Sequence, residues 1–269
     1  LLYIIYAMIK TALITGASSG LGVEFAKLHA QNKDNLVLVA RSEDKMLQLK
    51  NELEGRYGIK VEVIVKDLSI SSAAEDVFHE IVRKGIEVDY LINNAGFGGV
   101  GMFATRNFAD DLSMINVNIV ALTALTKLFL PLFIARNSGK ILNVSSVAGE
   151  FPGPLQAVYF ATKAYVTSFS YALYQETKGT SVTVTTLLPG PTNIAFATTA
   201  RMTQAKLFRK MVSAHSVAKD GFNAMMKGKR RVFSGISWLQ KCIMWLVPFI
   251  PTVFVMKQVE RLQRTEEGV

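Results

Sequence analysis

The chain has 269 residues, half of them hydrophobic, which is enough for one large core and tight for two, so a single domain is expected. One cysteine, Cys242, excludes an intramolecular disulfide or a multi-cysteine zinc site and points to a reducing, cytoplasmic setting, and three scattered histidines (His29, His79, His215) give no metal-ligand spacing, so no metal is expected. The net charge of +9 is no nucleic-acid footprint: residues 1–199 carry 17 basic and 17 acidic side chains and residues 200–269 carry 13 and 4, so the whole excess lies in the tail.

The first seven residues are apolar but too short to span a bilayer, and they lack the basic flank of a signal peptide. Met8 reads as a start leading into the first strand; alternatively the segment extends that strand or anchors the chain to a surface. Short runs rich in valine and isoleucine then recur at Thr11–Thr15, Asn35–Ala40, Val61–Val65, Asp89–Asn93, Lys140–Ser145 and Val182–Leu188. They are too short for helices and favour strands. Helix-compatible stretches separate them at 20–32, 42–57, 71–85, 107–136 and 157–178. Strands apolar on both faces and joined through helices imply a Rossmann-like, doubly wound α/β fold: a parallel sheet of about seven strands with helices on both faces and a ligand site off the strands' carboxyl ends.

Gly16, Gly20 and Gly22 sit between the first strand and the first helix, in Thr15-Gly16-Ala17-Ser18-Ser19-Gly20-Leu21-Gly22. Glycines there let the backbone approach a pyrophosphate while the helix N-terminus offers N–H donors, although packing alone can also require glycine. At the end of the second strand, where an NAD-preferring site places an acid, the chain reads Ala40-Arg41-Ser42. A guanidinium at that point can pair with a 2′-phosphate, which favours NADP(H). Tyr159 and Lys163 lie four residues apart in Tyr-Phe-Ala-Thr-Lys, with Ser146 thirteen residues before the tyrosine. On a helix the pair shares one face, so the lysine can lower the phenol's pKa. An isolated Tyr-x-x-x-Lys is ordinarily a solvated helix face; this one is not isolated.

Taken together, residues 8–235 resemble the short-chain dehydrogenase/reductase (SDR) family. The resemblance rests on the Thr15–Gly22 turn with its Ser18, Ser19 and Leu21, on Asp67-Leu68 as an adenine-holding pair, and on Asn93-Asn94-Ala95-Gly96. It rests also on Asn118, Ser146, Tyr159 and Lys163 as a catalytic tetrad, and on Pro189-Gly190 with Thr192 as a nicotinamide-contacting turn. Asn118 rather than Asn116, and Ser146 rather than Ser145, fit the family's spacing; Ala121 stands where glycine is usual. The resemblance implies that Tyr159 exchanges a proton with a carbonyl or alcohol oxygen, that Ser146 hydrogen-bonds that oxygen, that Lys163 stabilises phenolate and reaches the nicotinamide ribose, and that Asn118 holds a water linking Lys163 to solvent. It further implies a substrate lid at about 193–214, whose apolar pocket would be lined by Phe97, Phe151, Pro152, Phe196 and Met202.

The function expected is thus an NADP(H)-dependent carbonyl reductase or alcohol dehydrogenase for an apolar substrate. Alternatives are a 3-oxoacyl reductase, whose chains usually end soon after the seventh strand, and a catalytically silent cofactor-binding scaffold, which the intact tetrad disfavours. A homodimer or homotetramer is expected through 107–136 and 157–178, where Leu122, Leu125, Leu128, Phe129, Tyr165, Phe169, Tyr171 and Leu173 exceed a single buried stripe. Residues 236–269 form an extension. Within it Cys242–Met256 is uncharged but too short to span a bilayer and is interrupted by Pro248 and Pro251. Its tryptophans and basic flanks suit an anionic membrane surface, against the alternative that it covers the pocket or packs on a second subunit.

Overall fold

Each short apolar run becomes a strand and each intervening amphipathic stretch a helix. The computed structural model describes residues 9–193 and 212–263. Phe196, Met202 and all but the ends of the expected lid, like Met8, lie outside the described residues. In chain order come β1 (Thr11–Thr15), α1 (Gly20–Gln31), β2 (Asn35–Ala40), α2 (Glu43–Tyr57), β3 (Val61–Val65), α3 (Ala73–Arg83) and β4 (Tyr90–Asn93). Next are α4 (Phe108–Ile115), a π-helical turn at Asn116–Ala121, α5 (Leu122–Ala135), β5 (Gly139–Val144), α6 (Ala157–Glu176) and β6 (Val182–Pro189). A two-residue pairing of β7 (Thr192–Asn193) with β8 (Val212–Ser213) precedes α7 (Ala214–Met226) and β9 (Arg231–Ser234); the described chain ends in α8 (Trp238–Leu246) and α9 (Thr252–Gln263).

Seven strands form one parallel sheet in the order β3-β2-β1-β4-β5-β6-β9, with Ile14 opposite both Leu38 and Ile92 at its centre. Strand order reverses between β1 and β4, and a crevice opens beyond their carboxyl ends at such a switch point. Helices α1, α2 and α7 bury Phe25, Met46, Leu53 and Met225 on one face. On the other face α3, α5 and α6 bury Val77, Ile81, Leu125, Phe129, Phe133 and Leu173. The sequence marked six strands by position; β9 (Arg-Val-Phe-Ser) carried no comparable apolar run because it is a short edge strand, only partly buried, that emerges directly from a basic segment.

The expected helix 107–136 is one helical run whose π turn widens it at Asn116–Ala121. By length and composition Phe108–Ala135 could cross a membrane, yet its Leu125, Phe129 and Phe133 are packed against the sheet. This corrects the oligomer reasoning in part: Leu122, Leu125, Phe129 and Leu173 are core residues of the single chain, so their surplus says nothing about a second copy. The large apolar side chains that remain exposed on these helices are Phe108, Leu112, Ile115, Val120, Leu132, Ile134 and Tyr165.

In the tail, Ser237 and Gln240 form a reciprocal capping box that starts α8, while Pro248 falls in a single tight turn, Val247–Phe249, that separates α8 from α9. Replacing the fully buried Phe133 by alanine should cost ~3–5 kcal/mol in denaturant unfolding. Leu132→Ser, one residue away on the exposed side, should stay within ~0.5 kcal/mol. Equal losses would contradict this assignment of faces.

Candidate active site

The crevice begins at the turn after β1. Gly16 and Gly20 adopt φ of +67° and +54°, where a side chain is strained. A Cβ at Gly22 would stand 2.1 Å from the Gly16 carbonyl oxygen, so the first helical turn packs directly on the loop that precedes it. Thr15 locks the two ends of the crevice together. Its hydroxyl donates to Ile92 O (3.3 Å) and accepts from the backbone N–H groups of Asn94 and Ala95, each at 3.0 Å. The Asn94 side chain returns a bond from Nδ2 to Thr15 O at 2.8 Å. Asn93 points elsewhere: its Nδ2 donates to Thr126 and Asn143, and Asn143 donates to Ser170, a buried chain tying β4 and β5 to α5 and α6.

At the head of α1, Ser19 is extended, its side chain makes no cap bond, and the first turn carries no acid. The positive end of the helix is thereby left for an anion. Ser18, Ser19, Gly20 and Leu21 line the cavity there, followed by Arg41, Asp67, Leu68, Asn94, Ala95 and Gly96. The Ser69 backbone N–H, donating to Asp67 Oδ1 at 3.0 Å, is the chief cause that holds the Asp67 carboxyl below its ordinary range; partial burial opposes it, and the Ser69 side chain and Arg41 add to it. The Arg41 guanidinium is 77% exposed and 4.0 Å from Asp67 Oδ2. Ser42 and Lys66, which the sequence reading did not single out, line the same end.

The other end gathers the tetrad residues. Ser146 lies just past β5, accepts from Ala148 N at 3.1 Å and is hydrogen-bonded to the Tyr159 phenol. Ser145 faces inward instead, donating to Lys163 O at 2.9 Å and sharing a 2.7 Å bond with Thr167. Lys163 is buried and donates from Nζ to Val144 O at 2.9 Å, with the ammonium 5.9 Å from the centre of the Tyr159 ring. Asn118 occupies the π turn, a distortion often found at functional sites. Its Nδ2 donates to Phe97 O (2.9 Å) and Thr162 Oγ1 (3.0 Å), and its Oδ1 accepts from Phe97 N at 3.1 Å. Both amide donors are therefore committed to protein, so the side chain braces β4's exit against α6, and the water-holding role implied for it does not fall to those N–H groups. Asn116 bonds Ser69 O at 2.9 Å, away from this cluster.

A Cβ at Gly96 would come within 3.0 Å of Asn118 Oδ1 and 3.2 Å of Lys163 Nζ. That cradle, the uncapped start of α1 and a single cavity of about 700 Å³ reaching from Arg41 to Tyr159 fit a nicotinamide dinucleotide. Pro189, Gly190 and Thr192 line its far wall, with Thr192 Oγ1 donating to Gly190 O at 2.8 Å. Gly22 and Asn118 stand behind the lining. Electrostatics depart from the sequence expectation: burial pushes the Tyr159 phenol up to about 12, outweighing the bond from Ser146, and burial brings Lys163 down to about 8. Desolvation, not the neighbouring cation, dominates both groups.

The substrate end is apolar. Phe97, Phe151 and Phe160 line it, as do Val259 and Leu262 of α9, whereas Pro152 is not part of the wall. Two glutamines, Gln156 before α6 and Gln263 at the end of α9, face the same cavity. Neither carried a signal in sequence, because the contact of α9 with the crevice is purely tertiary. Among the described residues no group of three or more His, Cys, Asp or Glu side chains is placed to hold a metal.

Comparison with known proteins agrees with this geometry. Residues 10–205 match the family model described as short chain dehydrogenase. The chain is 36% identical over 187 residues to the very-long-chain 3-oxoacyl-CoA reductase of Anas platyrhynchos, a match covering 66% of this chain and 58% of that protein. It is 34% identical over 190 residues to the NADP-dependent 3-hydroxy acid dehydrogenase of Schizosaccharomyces pombe, covering 70% and 73%. Among solved structures, a short-chain dehydrogenase from Sphingobium yanoikuyae in complex with NADPH superposes with a TM-score of 0.80 at 27% identity, covering 90% of this chain and 96% of that one. A bulky-bulky ketone specific alcohol dehydrogenase from Comamonas testosteroni gives 0.75 at 27%, covering 90% and 95%. With its seven-stranded parallel sheet and this crevice, the chain, which spans less than two thirds of the length of the oxoacyl-CoA reductase it matches, belongs to the short-chain dehydrogenase/reductase family.

Proposed function

We propose that the protein reduces the carbonyl of an apolar substrate, or oxidises the matching secondary alcohol, with NADP(H). The observation that carries this reading is the single cavity joining Arg41 and Asp67 to Ser146, Tyr159 and Lys163 and ending among aromatic side chains. The NADPH complex of the Sphingobium relative and the name of the fission-yeast one support the cofactor choice. The ketone preference named for the Comamonas enzyme supports a bulky, apolar carbonyl. A 3-oxoacyl thioester is the second reading, favoured by the name of the duck relative.

The uncapped start of α1 would hold the pyrophosphate, Asp67 and Leu68 the adenine, Arg41 the 2′-phosphate, and Asn94 to Gly96 with Pro189, Gly190 and Thr192 the nicotinamide half. When bound, the cofactor supplies or accepts hydride. Burial raises the Tyr159 phenol to about 12, so at neutrality it holds the proton that a carbonyl oxygen would receive. Ser146, already bonded to the phenol, orients that oxygen beside it. The Lys163 charge, held on Val144 O, favours release of the phenolic proton and so lowers the cost of transfer. In the oxidative direction Tyr159 must first lose the proton, so that direction is aided by alkaline pH.

The exposed Val120, Leu132, Ile134 and Tyr165 support a homodimer or homotetramer through α5 and α6. A lone cysteine supports the cytoplasm. Trp238 and Phe249 are each 78% exposed, and Phe254, Lys241 and Lys257 are exposed with them, which supports peripheral contact with an anionic membrane.

Arg41→Ala should weaken NADPH binding ~10–100-fold while leaving NADH nearly unchanged in fluorescence titration; equal dissociation constants for the two cofactors in the wild type would contradict the NADP assignment. Tyr159→Phe should retain cofactor affinity and lose ~10²–10⁴ in turnover, and near-normal turnover would remove Tyr159 from its role.

Lys163 also gives a stability signature. Its folded pKa of about 8 lies below the ordinary lysine value of 10.5, so between these pH values the unfolded chain binds more protons and stability rises with pH. Below pH 8 the cost of the buried charge is fully present. Relative to Lys163→Met, the wild type should gain ~3 kcal/mol across that window in denaturant unfolding. A constant difference would show that burial does not depress the lysine.

A further inference from the structure

Gln263 is 1% exposed, and neither Nε2 nor Oε1 of its amide has a hydrogen-bond partner among the described residues. Gln156, 3% exposed, likewise has an unpartnered Oε1. A glutamine at the end of a surface helix ordinarily reaches water; here α9 turns it inward beside Val259 and Leu262, into the wall of the substrate cavity. Packing alone would be better served by leucine or methionine, since a buried amide without partners is costly and uncommon. Two amides with orphaned atoms in the lining of one cavity point to a ligand that completes them.

We infer that Gln263, with Gln156, forms a recognition subsite for a neutral group that both donates and accepts hydrogen bonds, carried by the substrate apart from its reacting carbonyl. The inference rests on the carbonyl-reductase reading and names its substrate class: an apolar skeleton bearing a hydroxyl or an amide N–H. Neutrality follows from the amides, which bring no charge to compensate a carboxylate or phosphate. The donor requirement follows from Gln156 Oε1 and Gln263 Oε1, two acceptors that an ether, an ester or a second ketone would both leave unpaired, whereas a hydroxyl or an amide N–H pairs one of them. Gln263 Nε2 supplies the matching donor. The tail thus takes part in specificity, which explains why α9 meets the cavity with a polar residue beside two apolar ones.

The test uses the full chain loaded with NADP⁺, so that ketones bind without reacting. Methyl ketones with alkyl chains of graded length are compared by calorimetry with their ω-hydroxy, ω-(N-methylcarboxamide) and ω-methoxy counterparts, on the wild type and on Gln263→Leu. At the matching length, hydroxyl- or amide-bearing ketones should bind the wild type at least about tenfold more tightly than alkyl or methoxy ones. Gln263→Leu should erase that advantage, bind the alkyl ketone no worse, and melt no lower than the wild type. A tighter hydroxy compound alone assigns a hydroxyl substrate, and a tighter amide alone assigns an amide-bearing chain. No preference at any length, a preference that survives in Gln263→Leu, or a variant that melts markedly lower would overturn the inference. NADPH oxidation with the same ketones is read separately. Preference without oxidation keeps the subsite and sinks the reductase reading, whereas oxidation without preference does the reverse.

Discussion

The ammonium of Lys163 is held out of water on a single backbone carbonyl, Val144 O, and much of the site is arranged around that burden. Burying a cation is costly unless its environment compensates, and here the compensation is incomplete, since the group's pKa falls to about 8. What keeps it in position is the surrounding framework. Ser145 caps the Lys163 carbonyl and bonds Thr167, fixing α6 to the end of β5. Asn118 clamps Phe97 and Thr162. Gly96 lets the β4 exit approach both Asn118 and Lys163 within contact distance. The energy held in a desolvated lysine is balanced by a rigid, well-bonded scaffold, as is usual where a site is prepared before its ligands arrive.

The fold supplies that scaffold at the point where strand order reverses. Because β1 and β4 are neighbours whose connections run to opposite sides of the sheet, their carboxyl ends part, and Thr15 spans the gap by bonding Ile92, Asn94 and Ala95. The glycine turn is thus tied to the turn that carries Gly96. A dinucleotide lying across this junction touches elements from both halves of the sheet, so cofactor binding and positioning of Tyr159 share one set of constraints.

Much of this was legible in the sequence, for physical reasons particular to certain residues. The valine- and isoleucine-rich runs had to be buried on both faces, which marked six strands nearly to the residue. Glycines at 16, 20 and 22 and the helical pair Tyr159 and Lys163 carry chemistry in their spacing, and their neighbours in space followed from the family pattern. Less legible were properties that exist only after folding. The phenol's pKa depends on how much water burial removes, which spacing alone does not show. Leu122, Leu125 and Phe129 looked like interface residues because hydropathy does not say which surface covers them. The edge strand β9 has too few apolar residues to announce itself, Thr15 acts through partners distant in the chain, and Gln156 and Gln263 meet the cavity only once the chain has folded.

The tail shows the same division. Its prolines and its uncharged run told against a spanning helix, but only the fold reveals that α9 presents Val259, Leu262 and Gln263 to the cavity while Trp238, Phe249 and Phe254 remain outside. The central claim, that this crevice passes hydride between a nicotinamide and a carbonyl carbon, is tested most directly by isotope transfer. The full chain is incubated with NADPH deuterated at the transferring position and a bulky apolar ketone, and the alcohol is analysed by mass spectrometry. Deuterium at the carbinol carbon, with the hydroxyl proton drawn from water, is the predicted result; alcohol formed without deuterium from the cofactor would contradict the account.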